Sequence, residues 1–229
     1  MANLKLFTSN GQRTVMAELL PRFEKASGHR IEASYDPGQI MMRRIAAGES
    51  ADVVILGGSA LDDLAKEGKI AADSRRAFSR CGIGVAVSGG APKPDIASVE
   101  AFKRAVLAAK AVAYTTEGAS GLHFSTLIKR LGIQREVEAK AVQQPGGLVG
   151  ELVAAGKADF AIQQIPELLA VPGITYVGPL PADLQKVTVS SAAVFAASSH
   201  PAAARALLDH FFTAASAQVV KAKGHEPQF

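Results

Sequence analysis

The feature that most constrains the fold is a repeated order of strand, polar loop and helix along the whole chain. Apolar runs of strand length alternate with stretches in which apolar residues recur at helical spacing. The predicted strands are residues 4–7, 31–35, 52–56, 83–87, 111–114, 138–142, 160–163, 175–177 and 187–196. The predicted helices are residues 12–27, 40–47, 60–67, 99–109, 121–131, 147–155, 165–169 and 200–222. This alternation predicts an α/β protein with mainly parallel sheets.

Composition and charge exclude several classes of protein. The chain has 229 residues, of which 48% are hydrophobic and 20% charged, and its net charge is +4 with both signs scattered. Because no basic stripe is interleaved with aromatic residues, we expect no nucleic-acid partner. No apolar run approaches the roughly 20 residues of a membrane-spanning helix, so we expect no membrane insertion. Cys81 is the only cysteine, which excludes an intrachain disulfide.

Polar loops follow most of the predicted strands. Each is made of Gly, Ser, Thr or amide residues and leads into a helix, at residues 8–11, 36–39, 57–59, 115–121, 145–147 and 163–164. In open α/β sheets, ligands bind outside the carboxyl ends of the strands, where helix amino termini meet. No loop has the GxxxxGK[ST] phosphate pattern, and no strand is followed by GxGxxG. The loops therefore predict a cleft lined by neutral hydrogen-bond donors.

The first of these loops allows two interpretations. Ser9 and Asn10 lie at a helix start, where a side-chain oxygen can accept a hydrogen bond from a free backbone N–H. The same N–H groups can hold an anion instead. Ser59, which follows two glycines, is likewise either a helix cap or a ligand contact. The same two interpretations apply to Ser120, which would contact a ligand together with the N–H of Gly121.

The order of these motifs resembles a known class of protein. The start LKLFTSNG is followed by FEKASGHRIEASY, IAAGESADVVILGGSALDDLAKEGKI, AYTTEGASGLHFSTLIKRLGI and GELVAAGKADFAIQQIPELL. This order resembles the type II periplasmic binding proteins and, among them, the molybdate-binding protein family, over essentially the whole chain. The resemblance implies two α/β lobes, residues 1–80 with 191–229 and residues 81–190, joined by two crossing strands that act as a hinge. A ligand would be clamped between the lobes by hinge closure.

The same resemblance implies the residues that bind the ligand. The family holds oxyanions with hydroxyl and backbone N–H groups, and its first-loop serine is matched by Ser9. Its second-loop serine falls on Gln39, its helix-start alanine on Ser120 and its late tyrosine on Gln163. Amides offer donors and acceptors, so Gln39 and Gln163 favour an organic carboxylate or a similar oxyanion over molybdate.

Three other residues have less specific signals. Gly147 lies in a predicted turn whose helix-start amides could face the ligand, and His123 lies in the first turn of a predicted helix. A lone histidine is more often structural than catalytic, but His123 is the natural proton carrier near a predicted ligand loop. Arg13 could pair with a carboxylate, although a solvated side chain is the commoner role for such a residue.

The leading hypothesis is a solute-binding protein, not an enzyme, that captures a small anion and passes it to the permease of an ABC transporter. The resemblance also extends to the aconitate isomerases, enzymes of the same fold, which makes an isomerase of an unsaturated tricarboxylate the alternative, with His123 as its base. A cytoplasmic ligand-sensing domain is a further alternative. We expect a monomer without cofactor or metal. The sequence leaves open whether the protein is cytoplasmic or periplasmic after removal of an export signal.

Overall fold

The computed structural model of the protein describes residues 1–229 and contains eleven strands and ten α-helices. The strands are β1 (Asn3–Ser9), β2 (Arg30–Asp36), β3 (Val53–Gly57), β4 (Arg76–Cys81), β5 (Ile83–Ser88), β6 (Val112–Thr115), β7 (Ala141–Gln144), β8 (Phe160–Gln164), β9 (Ile174–Pro179), β10 (Thr188–Val194) and β11 (Glu226–Pro227). The helices are α1 (Arg13–Ser27), α2 (Gly38–Ala46), α3 (Gly58–Lys66), α4 (Val99–Ala108), α5 (Ala119–Arg130), α6 (Gln134–Glu138), α7 (Gly150–Ala154), α8 (Ile165–Leu169), α9 (Pro201–Phe211) and α10 (Ala214–Ala222).

The chain divides into two compact units. Unit 1 consists of Met1–Arg80 and Thr188–Phe229, and unit 2 of Cys81–Val187. Each unit is built on its own sheet with helices packed against it, as the alternating pattern predicts. No helix in either unit combines the length and apolarity needed to span a membrane.

The sheet of unit 1 has the strand order β11-β4-β10-β3-β1-β2. Strands β1, β2 and β3 are parallel, whereas β10 runs antiparallel to β3. Alternate residues of β1 enter different cores, because successive side chains of a strand point to opposite faces. Leu4 and Leu6 pack with α1 and α9 on one face, and Phe7 packs with α2 and α3 on the other.

The sheet of unit 2 has the strand order β7-β6-β8-β5-β9. Strand β6 is parallel to β7 and to β8, and β5 pairs antiparallel with β8 and with β9. Tyr114, Phe124 and Phe102 lie in its larger core, between the sheet and α4 and α5. Both sheets therefore combine a parallel part, which carries the polar loops, with antiparallel strands.

Several local predictions need correction. The predicted helix 200–222 is two helices, because α9 ends at Phe211 and Thr213 caps α10 by accepting a hydrogen bond from the Ser216 N–H. The predicted strand 138–142 begins too early, since α6 extends to Glu138. Strands β4 and β11 were not predicted, because their pairing joins the chain end to a distant segment.

Candidate functional site

The polar loops of unit 1 lie at one edge of its sheet. Ser9 at the end of β1 is paired in register with Asp36 at the end of β2, and Thr8 is paired with Ile55 of β3. Parallel strands end on the same side, so the loops after β1, β2 and β3 are neighbours. The structure thus brings Ser9, Gln39 and Ser59 to one edge of unit 1.

The helices that begin at this edge have no side-chain caps. The capping positions of the 3₁₀ turn after β1, of α2 and of α3 are Ser9, Pro37 and Gly57, and no side chain at these positions accepts a hydrogen bond from the helix. By contrast, Ser98 caps α4 by accepting a hydrogen bond from the Ala101 N–H at 3.2 Å. Uncapped helix starts present free N–H donors and the positive end of the helix dipole. This edge can therefore bind an anion without a charged side chain.

The hydroxyl of Ser9 is not used to cap the turn that follows it. Ser9 is half-buried with an extended backbone (φ −73°, ψ 154°). Asn10 is only 8% exposed. The Thr8 hydroxyl beside them is buried and has no hydrogen-bond partner within the protein. The Ser9 hydroxyl makes no cap hydrogen bond at this strand end and is therefore available to a ligand.

The loop after β2 is held by an ion pair that the sequence analysis did not identify. Arg44 of α2 contacts Asp36 at 2.5 Å and Glu49 at 2.7 Å, and its guanidinium lies 4.8 Å from the centre of the Phe7 ring. These two carboxylates raise the pKa of Arg44 above its usual range. Gln39 is exposed in the first turn of α2, beside this ordered loop.

Arg13 is a positively charged residue that forms no ion pair in this structure. It is the first residue of α1, and its guanidinium lies 4.3 Å from the centre of the Tyr35 ring near the end of β2. Burial raises the pKa of Tyr35, and the charge of Arg13 opposes that shift. A stacked guanidinium is oriented while its N–H donors remain free. Arg13 can therefore offer a positive charge to a carboxylate near the first loop.

In unit 2, close packing sets α5 against the end of β6. A Cβ atom on Gly121 would lie 1.7 Å from the carbonyl oxygen of Thr115, and one on Gly118 would lie 2.4 Å from the Thr115 hydroxyl. Only glycine allows this approach. Ser120, between them, is 2% exposed, and no side chain caps α5. The Thr115 hydroxyl is buried without a partner, which makes this helix start the counterpart of the Ser9 turn in unit 1.

Gln163 serves the neighbouring loop in this structure. Its Nε2 donates to the carbonyl oxygen of Gly147 at 2.7 Å, and its Oε1 accepts from the Val149 N–H at 2.9 Å. Gln163 is 1% exposed and also donates to Glu167. Gly147 is exposed with a positive φ of 85°. The side chain of Gln163 therefore orders the Gly147 loop, and Gly147 rather than Gln163 presents that loop to solvent.

Glu167 is a buried carboxyl at the start of α8. It accepts hydrogen bonds from the Gln164 N–H and from the Gln163 side chain, yet burial raises its pKa to about 8. Cys81 lies close enough that the charge of Glu167 adds to the effect of burial, which raises the thiol pKa to about 12. Glu167 lies three residues after Gln164, which is the spacing of a capping box. The sequence therefore contained a signal for the position of this carboxyl at a helix start.

His123 is held by a single hydrogen bond. Its Nε2 lies 2.8 Å from the carbonyl oxygen of Leu184, so Nε2 carries a proton. In the neutral ring this leaves Nδ1 as the basic nitrogen. The bond fits either a structural histidine or a base with a fixed tautomer. No group of His, Cys, Asp and Glu residues has the geometry of a metal site.

The two edges define a two-unit α/β binding fold in which uncapped helix starts and hydroxyls offer sites for an anion. A family model described as bacterial extracellular solute-binding protein matches residues 4–226. The chain belongs to the bacterial extracellular solute-binding protein family, and the predicted class is thereby confirmed.

Known proteins similar to this chain include an enzyme and two binding proteins. Aconitate isomerase from a Pseudomonas species is 39% identical over 99% of this chain and 88% of its own length. The periplasmic molybdate-binding protein of Azotobacter vinelandii has a TM-score of 0.81 and 19% identity, over 97% of this chain and 98% of its own. The sulfate-binding protein SubI of Mycobacterium tuberculosis H37Rv has a TM-score of 0.78 and 18% identity, over 100% of this chain and 88% of its own. These two likenesses confirm the predicted type II periplasmic-binding fold.

Proposed function

We propose that this protein binds an unsaturated tricarboxylate and isomerises it, interconverting cis- and trans-aconitate. The observation that carries the proposal is the 39% identity to aconitate isomerase over 99% of the chain. This resemblance is much stronger than the 18–19% identity to the molybdate- and sulfate-binding proteins. The isomerase, which was the alternative from sequence, thus becomes the leading hypothesis.

The residues at the two sheet edges support a carboxylate ligand. Ser9, Asn10, Gln39 and Ser59 would contact it from one lobe. Ser120, the N–H of Gly121 and the Gly147 loop would contact it from the other, with Gln163 ordering that loop.

The positive charge of Arg13 favours a tricarboxylate over a simple oxyanion as the ligand. Aconitate carries up to three negative charges, and neutral donors alone leave those charges without a cation. The Arg13 guanidinium, oriented on Tyr35, would pair with one carboxylate through charge-assisted hydrogen bonds. Arg13→Gln should weaken binding of trans-aconitate about 10- to 100-fold, the effect of losing a hydrogen bond to a charged group. Arg22→Gln, which breaks an exposed pair with Glu18 on the same helix, is the matched control.

The isomerisation requires a proton to move between two carbons. A base removes a proton from the methylene carbon, the double bond shifts, and a proton returns to the former vinylic carbon. No electrons leave the molecule and no co-reactant is consumed. His123 would act as the base through Nδ1, since Nε2 donates to Leu184. His123→Gln keeps an N–H donor for Leu184 but has no basic nitrogen, so turnover should fall at least about 100-fold.

Absorbance assays on both isomers, combined with a thermal-shift panel, test the proposal. The panel contains cis-aconitate, trans-aconitate, citrate, molybdate and sulfate, and a ligand at 100 times its dissociation constant should stabilise the protein by about 2.7 kcal/mol. Turnover that His123→Gln abolishes and His200→Gln preserves would support the mechanism. Turnover unaffected by His123→Gln would remove only that role. Absence of turnover in wild type would overturn the isomerase proposal.

The family itself supports a second candidate. Bacterial extracellular solute-binding proteins capture a small solute, and this chain would then deliver an anion to an ABC transporter permease without changing it. Stabilisation by an anion in the panel together with zero turnover is the result expected from this candidate. Stabilisation by molybdate and sulfate alone would also exclude the carboxylate preference.

A further inference from the structure

A buried chain of hydrogen bonds ties the carboxyl-terminal segment to the first ligand loop. The Gln12 Nε2 donates to the Ser79 Oγ at 3.0 Å, and Ser79 Oγ lies 3.4 Å from His225 Nδ1. His225 Nε2 lies 2.9 Å from the carbonyl oxygen of Gly11. Since Gly11 and Gln12 are adjacent, the bonds close a ring, which we call the Gln12–Ser79–His225 ring. All three side chains are at most 3% exposed.

The donor and acceptor properties of these atoms fix the direction of each hydrogen bond in the ring. A carbonyl oxygen only accepts, so His225 Nε2 carries the proton that reaches Gly11. Two effects act on the pKa of His225: burial lowers it, and the bond to Gly11 partly opposes the change. In the neutral ring Nδ1 accepts the Ser79 hydroxyl proton, and Ser79 in turn accepts from Gln12. Every donor in this chain thus has one acceptor.

One buried atom of the ring has no hydrogen-bond partner, which lowers the stability of the folded protein. The Gln12 Oε1 is buried without a partner, and an unsatisfied buried acceptor costs about 1–3 kcal/mol. Three apolar side chains at these positions would avoid that cost. The ring is therefore a poor source of stability, and its structural effect is to fix the positions of the atoms that it joins.

The chain end does not need His225 as an anchor. Strand β11 pairs with β4 through Glu226–Arg80 and Pro227–Ser79, and the Phe229 ring stacks on Phe78 with centroids 5.9 Å apart. The ring additionally fixes residues 11 and 12, which with Asn10 form the 3₁₀ turn that follows Ser9.

We propose that His225, acting with Ser79 and Gln12, is a positioning residue that holds the Ser9–Gln12 turn in its ligand-binding conformation. This inference rests on the proposed function, because it takes Ser9 as a ligand contact. His225 touches no ligand and acts only through the Gly11 carbonyl and the Gln12 side chain. It makes the affinity of the site depend on a residue more than 200 positions away in the chain.

Calorimetry with trans-aconitate on matched variants tests the inference. His225→Leu removes the donor to Gly11, and affinity should fall roughly tenfold, the effect of losing one buried hydrogen bond. His225→Gln retains a donor and should recover most of that loss. Glu226→Gln weakens the exposed pair with Arg80 and should leave affinity unchanged. An unchanged affinity in His225→Leu, or no recovery in His225→Gln, would overturn the positioning role.

Amide hydrogen exchange gives a readout that needs no ligand. In His225→Leu, exchange at residues 10–13 should accelerate relative to wild type and to Glu226→Gln, whereas a purely structural role predicts acceleration throughout β4 and β11. If wild type binds none of the panel, the proposed function fails. Amide exchange then tests separately whether the ring holds the turn. Unchanged exchange at residues 10–13 in His225→Leu would refute that role of the ring.

Discussion

Replacing Glu167 with glutamine should change how the stability of the protein depends on pH. Glu167 is buried in unit 2, where the Gln164 N–H and the Gln163 side chain donate to it, and burial raises its pKa from 4.5 to about 8. Glutamine keeps an oxygen for those donors and cannot ionise. The variant therefore removes the titration while retaining the hydrogen bonds that order the Gly147 loop.

The sign and size of the effect follow from the two pKa values of Glu167. Below pH 4.5 the carboxyl is protonated in both the folded and the unfolded chain. Between pH 4.5 and about 8 the unfolded chain loses the proton while the folded chain keeps it, so the free energy of unfolding falls as pH rises. At 1.36 kcal/mol per pH unit, the loss is about 3 kcal/mol at pH 7 and approaches about 5 kcal/mol above pH 8.

Urea unfolding of wild type and Glu167→Gln at pH 5, 6, 7, 8 and 9 measures this effect, because other titrating groups cancel in the difference. The stability of the variant relative to wild type should increase by several kcal/mol across the series. Glu151→Gln, at an exposed position of α7, is the control. A difference between Glu167→Gln and wild type that stays constant with pH would show that Glu167 is not the buried acid that the structure describes.

Three further predictions concern packing and reactivity. Gly121→Ala should lower thermal stability by several kcal/mol, because its Cβ would lie 1.7 Å from a backbone oxygen, whereas Gly38→Ala, with nothing within 4 Å, should be tolerated. Gln163→Leu removes two hydrogen bonds to the Gly147 loop, so exchange of the Val149 amide should accelerate and stability should fall by about 1–3 kcal/mol. Cys81, with a thiol pKa raised to about 12, should react with iodoacetamide at pH 8 only after unfolding, as mass spectrometry would show.

Much of the fold could be predicted because its signals are local. Alternating strand and helix patterns identified most elements, and the polar loops after β1, β3 and β6 identified the edges where Ser9, Ser59 and Ser120 lie. The break between α9 and α10 was missed because apolar periodicity continues across Thr213, although its cap is a recognisable signal.

The missed parts of the candidate site depend on contacts between distant residues. The bonds of the Gln12–Ser79–His225 ring join positions 67, 146 and 214 residues apart, and no spacing in the sequence indicates them. Gln163 was predicted as a ligand contact, but its amide faces the Gly147 loop, since a buried amide takes the nearest partners for its donors and acceptor. The position of Gln163 at the end of an apolar strand predicts that its side chain is buried, but it does not predict which groups that side chain bonds.

The most direct test of the proposed isomerase is proton NMR of cis- and trans-aconitate incubated separately with the protein in deuterium oxide. We expect each isomer to convert to the same final mixture, with solvent deuterium entering the methylene position. Saturable binding of both isomers with no conversion, or conversion by His123→Gln at the wild-type rate, would contradict the proposed chemistry. The first result would leave a binding protein, and the second would assign the proton transfer to another residue.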